Sequence, residues 1–188
     1  DYDPLPAVVD PVAAVQPGAP LLFDRAANNV ILDWGLGDEK ATAAAFAAAK
    51  RVVKIDLAIN RVVVASMEPR VVLAEFDAGT GRFTVHLGTQ GVFGMRRAIA
   101  KHMGVAEDKV RIVTPDVGGS FGMKTFDFPE NALVPWAAKK LGRPVKWVGD
   151  RTEHFIGDAQ GRDNITTAEL ALDADGRIIG YRVDLTAN

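Results

Sequence analysis

The chain predicts an α+β fold in which mixed sheets are assembled from strand–helix–strand units and hairpins. Three observations carry that prediction. Runs of β-branched and aromatic residues recur from 52 to 187. Two stretches with apolar residues at helical spacing lie between such runs. Asp/Gly-rich turns at 77–81 and 173–176 join neighbouring runs too closely for anything but hairpins.

Residues 1–37 carry Pro4, Pro6, Pro11, Pro17 and Pro20 and keep neither period, so they read as an extended lead-in to a folded region of 38–188. The absence of an initiator Met suggests that the chain is cut from something longer. Asp38 is placed to cap an alanine-rich helix over 39–51. Strands are expected over 52–64 and 71–76, separated by Ser66-Met67-Glu68-Pro69. Across the 77–81 turn, Phe83, Val85 and Leu87 alternate with Arg82, Thr84 and His86 as a half-buried strand. Val92, Met95, Ile99 and Met103 share one helical face, and Gly104 ends that helix. A strand follows over 110–114. Pro129 suits a first helical position, and Leu133, Trp136, Ala137 and Leu141 read as the apolar face of the next helix, which Gly142 and Pro144 stop. Strands over 143–148, through Ala168, Leu170 and Leu172, and through Tyr181, Val183 and Leu185 complete the chain.

A composition of 48% hydrophobic and 24% charged residues suits a chain that buries a core. The formal net charge of −2, without a run of either sign, gives no electrostatic reason for a nucleic-acid or anionic-membrane partner. No cysteine means no disulfide and no thiolate ligand. There is no 18-residue apolar run and no signal peptide, so a soluble, cytoplasmic protein is expected. His86, His102 and His154 lie too far apart to suggest a metal set. Arg162-Asp163 reads as an ion pair or a contact to a neighbouring domain.

The chemistry concentrates in Val117-Gly118-Gly119-Ser120-Phe121-Gly122-Met123-Lys124. Glycine lets backbone N–H groups approach a ligand closely. Lys124-Thr125 approximates a P-loop, but Met123 stands where its second glycine belongs and the next helix starts only near Pro129. Gly118-Gly119-Ser120-Phe121-Gly122 fits the G-x-S-x-G elbow of a serine esterase, with Ser120 as nucleophile and Asp150 and His154 as acid and base, although those two are spaced like one helical turn. Taken alone, Ser120 also reads as a small loop residue, Gln90 as an ordinary turn residue and Phe121 as a core residue.

Several blocks, in order, change that balance. They are Gly88-Thr89-Gln90, the helix through Lys101-His102-Met103-Gly104, the strand Val110-Arg111-Ile112-Val113, Asp116 to Lys124, and Leu141-Gly142-Arg143-Pro144-Val145-Lys146-Trp147 followed by Asp150-Arg151-Thr152-Glu153. Together with the opening Asp1-Tyr2-Asp3-Pro4-Leu5-Pro6, they resemble the large, molybdopterin-binding subunit of the molybdenum hydroxylases, the family of xanthine dehydrogenase, aldehyde oxidase and aerobic carbon monoxide dehydrogenase. The resemblance implies that 38–188 is the first part of the molybdopterin-binding domain. It implies molybdenum–molybdopterin cytosine dinucleotide as cofactor, held through its dithiolene, with FAD and [2Fe–2S] clusters on partner subunits or domains.

By the same resemblance, Gln90 hydrogen-bonds a ligand of molybdenum without binding the metal, and Gly118, Gly119, Ser120, Phe121 and Gly122 form the cofactor loop, with Phe121 shaping the substrate space. The family hydroxylates a small-molecule substrate with oxygen from water and passes electrons through iron–sulfur clusters to flavin. Thr125 stands where purine-oxidising members carry a glutamate, which disfavours a purine. The family's general-base glutamate, and the copper-binding cysteine of its carbon monoxide branch, would lie beyond Asn188, so the isolated piece is expected to be inactive. Glu68, in a family-like Met67-Glu68-Pro69-Arg70 segment, reads either as a group near the active-site channel or as a solvated turn carboxylate.

Overall fold

Asp10 and Asp38 each accept N–H groups from the turn that follows, and each starts a helix. These are α1 (Pro11–Ala14) and α2 (Glu39–Ala48) of the computed structural model, which describes residues 3–188; Asp1 and Tyr2, the start of the expected lead-in, lie outside them. Next come β1 (Arg51–Val62), β2 (Val71–Asp77), β3 (Arg82–Leu87), α3 (Val92–Met103), β4 (Val110–Val113) and α4 (Pro129–Leu141). The chain ends with β5 (Val145–Val148), α5 (Arg151–Gly157), β6 (Gly161–Leu172) and β7 (Ile178–Ala187). The α+β class is as expected. No helix among the described residues is long and apolar enough to cross a membrane. Two compact units form, one from the residues up to Val62 together with Arg162–Asn188, the other from Val63–Gly161.

In the first unit a three-stranded sheet runs in the order β1-β6-β7, with β6 and β7 antiparallel across the 173–176 turn. The Asp173 carboxylate closes that turn by accepting from Asp175 N and Arg177 N. α2 lies against β7 where Gly180 has no side chain; a Cβ there would come within 3.0 Å of Ala45 Cβ. Among the described residues before α2, regular structure is limited to α1 and one 3-10 turn at Ala27–Asn29. The Asn29 amide holds this segment together, donating to Ala14 O and Pro20 O and accepting from Leu22 N. Asp163 pairs with Arg61 at 3.1 Å instead of with its neighbour Arg162.

The second unit is a four-stranded sheet in the order β4-β3-β2-β5. β2 is antiparallel to both β3 and β5, while β3 and β4 are parallel and α3 connects them. The expected alternation holds, and Phe83, Val85 and Leu87 of β3 pack with Val72 and Ala74 of β2, Met95, Ile99 and Ala100 of α3, and Val134 and Ala138 of α4. Gly104 ends α3 in the left-handed conformation, as expected.

α4 corrects its expected face. Asn131, Val134, Pro135 and Ala138 are buried, whereas Leu133 and Trp136 are 60% and 51% exposed and Leu141 is exposed as well. Val134 and Ala138 are the α4 residues that join the sheet core, and the helical period then leaves Leu133 and Trp136 on the outer side.

A polar cluster joins β2, α4 and α5. The Arg70 guanidinium meets Glu130 at 2.6 Å and Asp158 at 2.9 Å and lies 3.6 Å from the centre of the Phe128 ring. Arg70 N donates to His154 Nε2 at 3.1 Å. Asp150 and Glu153 form a capping box at the start of α5. Burial holds the His154 imidazole below its ordinary value; Asp158 and Glu130 oppose the shift, and the Arg70 and Arg151 charges reinforce it.

Unfolded, His154 takes its proton near the usual 6.5, while the folded imidazole resists it. Its contribution to stability is therefore complete above that value and is lost as pH falls toward the folded one. The unfolding midpoint should drop on acidification from about pH 7.5 to about pH 5. His154→Gln, which keeps an acceptor for Arg70 N but does not titrate, should flatten that decline in a thermal-melt series. An unchanged slope would rule His154 out as its source.

Candidate functional site

Because β3 and β4 run parallel, both strands release their loops at the same sheet edge. Thr114 Oγ1 donates to Leu87 O at 2.8 Å and stitches the two strand ends together. Gly88-Thr89-Gln90 leaves β3 there, and the glycine loop follows from β4. Thr89 is buried; its hydroxyl donates to Lys124 O and accepts from Gly91 N. Gly91 caps α3 without a side-chain partner, so the first-turn N–H groups of α3 receive no side-chain cap at this edge.

The expected site residues Gln90, Ser120 and Gly122 come together. Gln90 Oε1 accepts from Ser120 Oγ at 2.6 Å and from Gly122 N at 2.9 Å. A backbone N–H can only donate, so these bonds fix which end of the amide faces the loop. The oxygen is spent on the loop, and Nε2 is left with no hydrogen-bond partner among the described residues. Gln90 is thereby a donor held in one orientation on an exposed edge.

Gly118 and Gly122 both use their N–H groups within the chain, on Glu68 Oε2 and Gln90 Oε1. The N–H groups of Gly119, Ser120 and Phe121, between those anchors, make no hydrogen bond among the described residues. Gly119, Phe121 and Gly122 all have positive φ (99°, 49° and 96°), a left-handed backbone of the kind from which anion-binding nests are built. A Cβ on Gly118 would sit 2.6 Å from Glu68 Cβ, so only glycine fits there. Phe121 is 80% exposed and is therefore not a core residue; its ring lies 3.0 Å from where a Gly119 Cβ would be.

Two of the expected alternatives fail on this geometry. The Ser120 hydroxyl gives its proton to Gln90 and accepts from Lys124 N, while Asp150 caps a helix and His154 serves Arg70, so these three do not form a nucleophile–base–acid set. Lys124, which a P-loop would extend toward phosphate, is buried and bound to Glu68 at 2.6 Å. A concavity over Glu75, Arg82 and Arg111 near the β2–β3 turn contains none of the loop residues.

The sequence reading undervalued Glu68, Lys124 and Thr89. Glu68 is neither free in solvent nor free to face a substrate through Oε2, because that oxygen binds Lys124 and Gly118. Burial would raise its carboxyl, but the Lys124 hydrogen bond, the Gly118 N–H and the ammonium charge outweigh burial and leave it lowered. In the sequence, the family-like Met67-Glu68-Pro69-Arg70 segment drew attention to Glu68 alone, and nothing marked its pairing with Lys124.

Known proteins share this architecture. The chain is 38% identical to the carbon monoxide dehydrogenase large chain of Hydrogenophaga pseudoflava, covering 100% of this chain and 25% of that one. It is 37% identical to the 6-hydroxypseudooxynicotine dehydrogenase complex subunit gamma of Paenarthrobacter nicotinovorans, covering 100% and 23%. The crystal structure of the Cu,Mo carbon monoxide dehydrogenase in its carbon monoxide reduced state superposes with a TM-score of 0.89 at 34% identity, over 98% of this chain and 25% of that one. The chain thus spans about a quarter of the length of these relatives. The molybdopterin cofactor-binding domain model matches residues 22–188, and the chain belongs to that family.

Proposed function

We propose that the intact protein is the large catalytic subunit of a molybdenum-dependent hydroxylase or dehydrogenase, and that this chain contributes its glycine loop and Gln90 to the cofactor site. The observation that carries the reading is the Gln90 amide, its oxygen locked by Ser120 and Gly122 and its NH₂ left free beside a loop with three unspent N–H groups. Residues 38–188 are read as the first part of the cofactor domain, after a lead-in of 1–37.

The residues present fit an anionic, multiply hydrogen-bonding group. The Gly119, Ser120 and Phe121 N–H groups, the first turn of α3 and Gln90 Nε2 are all donors. Molybdenum–molybdopterin cytosine dinucleotide is the group we assign, with FAD and [2Fe–2S] clusters on partner subunits or domains of a cytoplasmic complex. When bound, it supplies two-electron redox chemistry. The chain's own work is to hold and orient. Gln90 donates toward the cofactor, the loop N–H groups offset its negative charge, and Phe121 walls the substrate space.

The substrate is a small molecule, carbon monoxide, an aldehyde or an N-heterocycle. A purine is disfavoured because Thr125 offers no carboxylate and its hydroxyl is turned back to Gly122 O. The chain alone is read as inactive, and residues contributed by the remainder of the large subunit complete the site. Mild acid hydrolysis of the native complex should release cytidine monophosphate. Release of guanosine monophosphate, or of no pterin-linked nucleotide, would contradict the cofactor assignment.

A further inference from the structure

We infer that Lys124 and Glu68 are positioning residues, a clamp between a buried ammonium and a half-buried carboxylate that fixes the glycine loop and, through it, the Gln90 amide. What the loop serves rests on the proposed function; the clamp itself rests on geometry alone.

The Lys124 side chain is 1% exposed, and its Nζ meets Glu68 Oε2 at 2.6 Å. Burying an ammonium is unfavourable unless a counter-charge compensates, and an apolar side chain would fill such a position at less expense. What the pair provides beyond packing is the position of its hydrogen-bond partners. Glu68 Oε2 also accepts from Gly118 N at 2.9 Å, and Glu68 N donates to Gly118 O at 2.9 Å, so Glu68 holds both polar groups of the first loop glycine.

Lys124 holds the other end of the loop with its backbone. Its N–H donates to Ser120 Oγ, which donates onward to Gln90 Oε1, and its carbonyl accepts from Thr89 Oγ1. One residue therefore connects the start of the loop, the end of the loop and the turn after β3. Gly88 leaves room for the pair, since a Cβ there would lie 3.1 Å from Glu68 Oε2 and 3.5 Å from Lys124 Nζ. The clamp joins residues 56 apart in sequence.

The test is amide hydrogen exchange of the peptide 117–124 in the full-length subunit, produced in a host that makes no molybdopterin so that cofactor loss cannot contribute. Lys124→Met should speed exchange of that peptide by about tenfold. Lys124→Met/Glu68→Gln removes the stranded charge but keeps a side-chain acceptor for Gly118 N, and should return exchange to within about threefold of the parent. Lys124→Met/Glu68→Leu removes the stranded charge and the acceptor together; β2 and β3 should keep parental exchange while the loop exchanges about tenfold faster.

Parental loop exchange in the Lys124→Met/Glu68→Leu variant, or equal exchange in the two double variants, would overturn the clamp. Should Lys124→Met fail to fold, the two double variants decide the matter between them. A native complex without molybdenum would refute the proposed function and leave this comparison standing.

Discussion

Gln90→Glu is expected to remove turnover from the assembled enzyme while leaving the glycine loop in place. A carboxylate at this position still accepts from Ser120 Oγ and Gly122 N, the two bonds that now hold the amide oxygen. It cannot reproduce the NH₂ that points away from the loop. Groups that orient or polarise a metal site without binding the metal typically contribute about 10- to 100-fold in activity or metal affinity, and kcat per molybdenum should fall by at least that factor. Gln90→Ala should lower kcat similarly and, by stranding the buried Ser120 hydroxyl and the Gly122 N–H, also cost about 1–3 kcal/mol of stability. The split between the two variants separates the donor from the brace. A Gln90→Glu enzyme with parental kcat would remove the donor role.

Gly118→Ala should be the most damaging small substitution in the loop. The added methyl would meet Glu68 Cβ at 2.6 Å, with Glu68 N and Cα at 3.4 and 3.5 Å, so a flexible side-chain tip cannot simply move aside. Relief requires Gly118 and Glu68 to separate, which breaks the paired bonds Gly118 N to Glu68 Oε2 and Glu68 N to Gly118 O. Overpacking of this kind costs about 1–3 kcal/mol, and it falls on the segment that presents the free N–H groups of residues 119–121. Molybdenum content per chain should drop severalfold, with a smaller loss of thermal stability. Full metal content in this variant would mean that the loop is not the cofactor cradle.

Much of the fold was legible because it is written in local periodicity. Phe83, Val85 and Leu87 alternate with polar neighbours, and the pleat alone puts them in the core. Met95 and Ile99 follow the helical period, and Gly104 marks the stop that its left-handed φ realises. α4 was misread because Leu133, Trp136 and Leu141 are larger and more apolar than Asn131, Pro135 and Ala138, and hydrophobicity alone selects the wrong side. The β-branched residues of β1 mark a strand correctly, yet all twelve of its residues are exposed, which composition could not indicate.

The site divides in the same way. Glycines close in sequence announce a loop that approaches something, and the resemblance drew Gln90 to it across 30 residues. The Glu68–Lys124 pair depends on a contact between distant segments, and neither residue's neighbours disclose it. Ser120 fits a nucleophile pattern, but its chemistry is set by which atom its proton meets, and that atom belongs to Gln90.

The molybdenum content, per chain, of the native complex recovered from its host tests the central claim most directly. Near-stoichiometric molybdenum is the result predicted for a subunit whose glycine loop and Gln90 hold the cofactor. Its absence from a complex made in a molybdenum-replete host would contradict that claim, leaving a cofactor-binding fold that no longer carries its metal.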